Sequence, residues 1–230
     1  LLLLSQAFGI IRLPSIFSDN MVIQEGAPVN IWGWASPGES IKIEFSGQVI
    51  DLRTDNEGRW KAVLEPVTSN KPLRMVLTGR NRISIRNILV GEVWLCSGQS
   101  NMEWSLARSL NAKKAISNAD HPSIRLFHVD RNAVSKPQDN CQGRWVSCTP
   151  QSAKGFSAVA YHFGLAIHEA IGKPVGLIQS TWGGTPIEGW TSRDALSALD
   201  TTKAMLERWD VHAANYAKDR REYSLKLNVW

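Results

Sequence analysis

Ser100 is the residue whose type and setting best suit covalent chemistry. Residues 88–96 form an apolar run typical of a strand buried on both faces of a parallel sheet, and Ser97-Gly98-Gln99-Ser100 then leads into a helix predicted at residues 101–110. This order places the Ser100 hydroxyl at the carboxyl edge of the sheet, where ligands bind and helix amides stabilise negative charge. The pattern therefore predicts a nucleophile. The alternative is that Ser100 only caps the helix, a role that serine fills often.

The elements that would position Ser100 belong to an α/β layer in the second part of the chain. Alternating strands and helices predict a mostly parallel sheet flanked by helices. After residue 88 we predict strands at 88–96, 124–129 and 175–180, a helix at 157–171, and a Gly-rich loop at 181–189. Further along, Thr191 and Asp194 are candidate caps, and Leu206, Trp209, Ala213 and Tyr216 have helical spacing.

The first part of the chain follows a different pattern. Short segments alternate apolar and polar residues and are separated by turn residues such as Ser36-Pro37-Gly38, which is typical of a small β-sandwich. The predicted strands include residues 41–45, 49–54, 59–64, 73–78 and 83–88. We therefore predict a β-sandwich domain at residues 8–87 and an α/β domain at residues 88–230.

Composition excludes several classes of protein. The chain has 230 residues, 43% of them hydrophobic and 20% charged, which excludes disorder as the main state. Its 26 Lys and Arg against 21 Asp and Glu are interspersed, so nucleic acid is not an expected partner. No run approaches the roughly 18 apolar residues of a membrane span. Ten Trp residues hint at carbohydrate, because aromatic planes pack against sugar faces.

The N-terminal residues predict export. Leu1-Leu2-Leu3-Leu4 runs into Ser5-Gln6-Ala7, the pattern of a truncated secretory signal whose cleavage would leave Phe8 first; the alternative is a buried first strand. We therefore predict residues 1–7 to be a signal remnant and the protein to be secreted or periplasmic. In such a compartment a disulfide between Cys141 and Cys148 with a reduced Cys96 is favoured, with three free thiols nearly as well supported.

Residues 98–104 resemble the nucleophile motif of the sialate O-acetylesterase family within the SGNH hydrolases. The motif reads Gly98-Gln99-Ser100-Asn101-Met102-Glu103-Trp104. Further segments resemble the family in the same order, namely residues 18–24, 32–38, 156–161 and 176–190. The resemblance spans nearly all of residues 13–190. It implies an SGNH-hydrolase-like α/β domain preceded by a β-sandwich, and a serine esterase that removes acetyl groups from sugars without a metal or organic cofactor.

The resemblance also implies roles for particular residues. Ser100 would attack the acetyl carbonyl, a His would act as the base and an Asp would orient that His. The Ser100 amide and one from the Gly183-Gly184 loop would hold the oxyanion, although that loop also fits a plain turn. The remaining implied oxyanion-binding or substrate-binding residues are Gln99, Asn101, Thr185 and Glu188.

The sequence departs from the family pattern at its C-terminal end. The family's catalytic Asp and His lie late in the hydrolase domain, and the chain stops at Trp230 before any segment that resembles them. We therefore expect residues 1–230 to be an N-terminal portion without the complete triad, and each of the five His to be packed or solvated. The alternative function is a non-catalytic carbohydrate-binding protein on an esterase scaffold. No Cys/His cluster has zinc spacing and the glycine-rich loop lacks a phosphate-binding Lys, so no metal or nucleotide is expected.

Overall fold

The computed structural model describes residues 9–134 and 136–227, so the predicted signal remnant lies outside the described residues. One unit of the chain ends at Gly183 and a second begins at Gly184. The strands of the first unit are β1 (Val22–Gln24), β2 (Val29–Trp34), β3 (Ser40–Phe45), β4 (Gln48–Arg53), β5 (Arg59–Leu64), β6 (Leu73–Thr78), β7 (Arg82–Gly98), β8 (His121–His128), β9 (Trp145–Cys148) and β10 (Val175–Thr181). Its helices are α1 (Ser100–Glu103), α2 (Ala112–Ser117), α3 (Pro150–Lys154) and α4 (Ala158–Ile171), with a 3-10 turn at Leu106–Arg108.

The predicted combination of a β-sandwich and a parallel layer is confirmed. An eight-stranded mixed sheet has the order β4-β3-β6-β7-β10-β8-β9, with β1 also paired to β7, and β2 pairs with β5 in a separate two-stranded sheet. The pairs among β3, β4, β6 and β7 are antiparallel, whereas β10 pairs parallel with both β7 and β8. Inward residues of the two sheets, such as Ile31 and Leu64 on one and Ile43 and Leu77 on the other, share one core.

The long strand β7 belongs to both parts of the fold. Its residues 82–88 pair antiparallel with β6, and its residues 92–98 pair parallel with β10. The predicted boundary at residue 88 falls within this single strand, next to Asn87, whose φ is +56°. Because β7 changes its pairing partner from β6 to β10 after residue 88, we propose that the β-sandwich domain ends at residue 87 and the α/β domain begins at residue 88.

The helix predicted at residues 101–110 is shorter than expected, which corrects the prediction. Helix α1 ends at Glu103, because the next residues pair with a distant segment instead of continuing the helix. Ser105 forms an antiparallel bridge with Ser157, the Leu106 N–H donates to the Phe156 carbonyl at 2.8 Å, and the Trp104 carbonyl accepts from the Ala158 N–H at 2.8 Å. Helix α2, which the sequence analysis did not predict, follows this crossing.

The prediction that β7 is buried on both faces is wrong at its carboxyl end. The side chain of Trp94 is 41% exposed and that of Leu95 is 68% exposed. Trp94 packs edge-to-face on Phe163 of α4, with ring centroids 4.9 Å apart. The helix therefore covers Trp94 only in part.

The predicted disulfide is also wrong, since Cys96, Cys141 and Cys148 are all free thiols. Cys148 is buried in the same core cluster as Cys96. Cys141 instead packs against the core that the two sheets of the sandwich share, so the two cysteines of the predicted disulfide lie in different packing environments. Burial raises the pKa of Cys96 to about 11 and that of Cys148 to about 12.

The helix predicted at residues 157–171 is present as α4, which packs against β10. The Ser157 hydroxyl caps it by accepting from the Ala160 N–H at 3.2 Å, and Gly172 ends it in a left-handed conformation. Its buried residues Ala160 and Tyr161 pack with Leu177 of β10 in one core cluster. The cluster packs the first half of β10 against α4.

The second unit is helical. It contains a 3-10 turn at Ile187–Trp190, helix α5 (Arg193–Ser197) and helix α6 (Asp200–Leu227). Ser192, rather than the predicted Thr191 or Asp194, caps α5 by accepting from the Ala195 N–H at 3.3 Å. Arg193 donates to Asp210 at 2.6 Å and ties α5 to α6. None of the helices in residues 9–134 and 136–227 combines the length and apolar character that a membrane crossing requires.

Candidate active site

Ser100 lies at the carboxyl edge of the parallel strands, where the sequence pattern predicted it. It is exposed and is the first residue of α1, directly beyond the pairing of β7 with β10 that ends at Gly98 and Thr181. The Trp182 N–H donates to the Gly98 carbonyl at 3.1 Å, which extends this contact past the strand ends. The turn that presents Ser100 is therefore fastened to the neighbouring strand.

A cleft of about 810 Å³ opens beside Ser100. Four segments of the first unit form its walls: the turn after β7, the end of β8, the segment before α4 and the end of β10. The lining residues are Ser100, Glu103, Trp104, Ser105, Arg108, His128, Asp130, Arg131, Gly155, Gln179 and Gly183. A concave site of this size with several polar groups near one hydroxyl is suited to a small ligand or one sugar unit.

The carboxylate of Glu103 joins three of these segments. One oxygen, Oε2, accepts from the Gly183 N–H, and the other, Oε1, pairs with the Arg131 guanidinium. The guanidinium carbon of Arg131 lies 5.6 Å from the ring centroid of Trp182, within the range of a cation–π contact. No sequence pattern predicted a role for Glu103 or Arg131, and the one available signal was the position of Glu103 inside the Ser100 motif.

Gly183 lies close to both Ser100 and Glu103. A Cβ built on Gly183 would lie 3.5 Å from Ser100 Oγ and would overlap Glu103 Oε2. A side chain at this position would therefore require the Glu103 carboxylate to move. Gly183 lies near Ser100, as the sequence predicted. Its N–H, which the sequence offered as an oxyanion donor, donates to the Glu103 carboxylate in this structure.

The other predicted site residues fall into two groups. Gln99 and Asn101 flank Ser100 and are exposed, and their carbonyls accept from the Glu103 and Trp104 N–H groups within the helical turn. Gly184, Thr185 and Glu188 belong to the second unit. There Gly184 has a φ of +79°, Thr185 Oγ1 accepts from Trp190 Nε1 at 2.7 Å and the Glu188 carbonyl accepts from the Thr191 N–H at 3.2 Å.

Trp104 and Arg108 form one wall of the cleft that the sequence analysis missed. The Trp104 indole N–H donates to the Arg108 carbonyl at 2.9 Å, and the Arg108 guanidinium lies 5.8 Å from the Trp104 ring centroid. Trp104 is 49% exposed. This wall therefore presents an aromatic plane and a cation to a ligand. The one sequence feature that could have predicted the wall is Trp104, the last residue of the Ser100 motif.

His128 and Asp130 also line the cleft, at the end of β8. His128 is exposed and lies opposite Gln179 in the parallel pairing of β8 with β10. The other four His residues, His121, His162, His168 and His212, are absent from the residues that line the cleft. His128 is thus the histidine that the described part of the chain brings to the cleft beside Ser100.

Buried polar contacts form the floor of the cleft. Gln179 is 1% exposed, its Oε1 accepts from the Ser157 N–H at 2.8 Å and its Nε2 donates to Thr181 Oγ1 at 2.9 Å. Because unpaired polar groups are costly in such a position, these bonds fix β10 against the start of α4. The described residues bring no three His, Cys, Asp or Glu side chains together as a metal-binding group.

The fold is an SGNH-hydrolase-like α/β fold: helices flank a sheet whose β7, β10 and β8 pair in parallel, and an exposed serine lies at the carboxyl edge. Comparison with known proteins gives the family: residues 90–220, more than half of the chain, match the model of carbohydrate esterase, sialic acid-specific acetylesterase, and the chain belongs to this family.

The relatives found by comparison agree with this assignment. The chain is 31% identical to rat (Rattus norvegicus) sialate O-acetylesterase; the match covers 86% of this chain and 40% of the rat protein. It is 30% identical to human (Homo sapiens) sialate O-acetylesterase; that match covers 84% of this chain and 41% of the human protein. A solved carbohydrate acetylesterase from Xanthomonas citri matches with a TM-score of 0.78 and 33% identity, over 84% of this chain and 45% of that one. The chain thus spans about two fifths of the length of these curated relatives.

Proposed function

We propose that the protein is a serine esterase that removes O-acetyl groups from sugars, either sialic acids or other acetylated glycans. The observation that carries the proposal is the placement of the exposed Ser100 at the carboxyl edge of the parallel strands, in a cleft that Gly183 also lines. Family membership supports the same chemistry, because the relatives are sialate O-acetylesterases and a carbohydrate acetylesterase.

In the proposed reaction the Ser100 oxygen attacks the acetyl carbonyl and gives its proton to a histidine base. The C–O bond to the sugar then breaks, the protonated histidine gives its proton to the departing sugar oxygen so that the sugar leaves as an alcohol, and an acetyl ester remains on Ser100. Water, deprotonated by the histidine, then attacks this ester, the bond between the acyl carbon and Ser100 Oγ breaks, and the histidine returns the proton to Ser100 Oγ as acetate is released. We propose that the Asp and His of this triad lie beyond Trp230, as the resemblance implies. The Ser100 amide, at the start of α1, is the proposed oxyanion donor within the first unit.

The cleft walls support a sugar as the group that carries the acetyl ester. Trp104 offers an aromatic plane to an apolar sugar face, and Arg108 beside it offers a cation to hydroxyl or carboxylate groups. The proposal includes export of the protein, which rests on residues 1–7 of the sequence alone.

Replacement of the nucleophile tests this proposal. In the protein that carries this chain, Ser100→Ala is expected to abolish both deacetylation of an O-acetylated sialic acid and labelling by a serine-directed phosphonate. Ser97→Ala is a matched control, because Ser97 is an exposed serine three residues earlier on β7. Deacetylation that survives Ser100→Ala would overturn the proposal. Sugar binding without turnover in the unsubstituted protein would favour the carbohydrate-binding alternative.

A further inference from the structure

Two hydrogen bonds fasten the turn that carries Ser100 to the loop after β10. The Trp182 N–H donates to the Gly98 carbonyl before Ser100, and the Gly183 N–H donates to the Glu103 carboxylate after it. Ser100 lies in sequence between these two anchor points. The position of Gly183 relative to Ser100 therefore depends on the Glu103 side chain.

Glu103 is itself held from the opposite side. Arg131, from the segment after β8, pairs with the carboxylate oxygen that Gly183 does not use, and the same guanidinium lies over the ring of Trp182. The side chain of Glu103 is 29% exposed and that of Arg131 is 46% exposed. A carboxylate bonded through both oxygens has little freedom to rotate, so it can define the position of a backbone amide.

We infer that Glu103 is a positioning residue that holds the main chain of Gly183 against Ser100 and keeps the Gly183 N–H occupied. The inference rests on the proposed function, since the position matters for the acetyl group bound at Ser100. It also removes Gly183 from the oxyanion donors that the sequence analysis considered. Glu103 acts on the reaction through Gly183, and Arg131 acts through Glu103.

Three variants test this role in the protein that carries this chain. Glu103→Ala removes one of the two anchors of the turn that carries Ser100, and we expect kcat to fall by about 10- to 100-fold with KM within about threefold, the size expected when the Ser100 nucleophile is misplaced. Glu103→Gln keeps an oxygen that can accept from the Gly183 N–H and is expected to recover most of the lost kcat. Glu57→Ala, which removes an exposed carboxylate paired with Arg59 at 2.6 Å, is the matched control.

A second measurement reports the contact without any reaction. The Gly183 amide signal in ¹⁵N-¹H spectra is expected to move in Glu103→Ala, because the substitution removes the acceptor of the Gly183 N–H, and to keep its position in Glu57→Ala. A merely structural role would lower the melting temperature of Glu103→Ala without rescue of kcat by Glu103→Gln.

The outcomes separate this inference from the proposed function. A Gly183 amide that is insensitive to Glu103→Ala would overturn the inference, as would an unchanged kcat in a protein that Ser100→Ala inactivates. Deacetylation by Ser100→Ala would instead overturn the proposed function, and the response of the Gly183 amide signal to Glu103→Ala would still decide whether Glu103 holds Gly183.

Discussion

The Gln179 side chain accepts a hydrogen bond from the Ser157 N–H at 2.8 Å, although the two residues are 22 positions apart in sequence. Both residues are almost fully buried, Gln179 at 1% and Ser157 at 0% exposed. The contact joins β10, whose end forms part of the cleft, to the start of α4. It makes the cleft floor a part of the folded core.

Replacing Gln179 by Leu is therefore expected to destabilise the protein. The substitution leaves the Ser157 N–H without its acceptor in a buried place, which costs about 1–3 kcal/mol of unfolding free energy. Urea denaturation measures this change. Gln151→Leu, on the exposed surface of α3, is the control and is expected to stay within about 0.5 kcal/mol of the unsubstituted protein. Equal stability of the two variants would contradict the structural role of Gln179.

The adjacent glycines Gly183 and Gly184 are expected to respond differently to alanine. In Gly183→Ala the new methyl group must displace the Glu103 carboxylate next to Ser100, so turnover is expected to fall on the order of 100-fold. At Gly184 a Cβ would meet no atom within 4 Å, and the cost comes from its φ of +79°, about 1 kcal/mol of stability. Kinetics and thermal melting of the two variants separate these effects. A larger loss of turnover in Gly184→Ala would contradict this order.

His128 is the described histidine whose substitution decides where the base lies. If the triad histidine lies beyond Trp230, His128→Ala is expected to keep turnover within about threefold, since removal of a general base costs roughly 100- to 10,000-fold. His162→Ala, on the exposed surface of α4, is the control. A loss of 100-fold or more in His128→Ala alone would assign the base to His128 and would refute the proposed position of the triad.

All three cysteines are expected to be free thiols, so they should react with a thiol reagent without prior reduction once the protein is unfolded. Because burial raises the pKa of Cys96 to about 11, roughly one thousandth of it is thiolate at pH 8, and alkylation of the native protein is expected to be slow. The same holds more strongly for Cys148, with a pKa of about 12. Unfolding in denaturant should expose all three thiols to iodoacetamide, as counted by mass spectrometry. Recovery of one modified cysteine would show that the other two form a disulfide.

Local pattern in the sequence was sufficient to predict most of the strands and the placement of Ser100, although β1, β2 and β9 were not predicted. The predicted strands at residues 59–64 and 73–78 match β5 and β6, because a period of two identifies the buried face of a strand from neighbouring residues alone. The strand, turn and serine at residues 88–100 likewise form a contiguous signal. The resemblance of residues 98–104 to the family motif then predicted the esterase chemistry that we propose for Ser100.

Contacts between distant residues were decided by the tertiary structure. Helix α1 stops at Glu103 because residues 105 and 106 bond to residues near Ser157, and nothing in the local sequence marks that partner. The separate environments of Cys141 and Cys148 depend in the same way on which core each residue reaches. The bond between Glu103 and Gly183 spans 80 positions and forms because parallel pairing of β7 with β10 brings their carboxyl ends together. Periodicity reports what a residue does within its own strand or helix, whereas the path of the whole chain determines which side chains meet at Ser100.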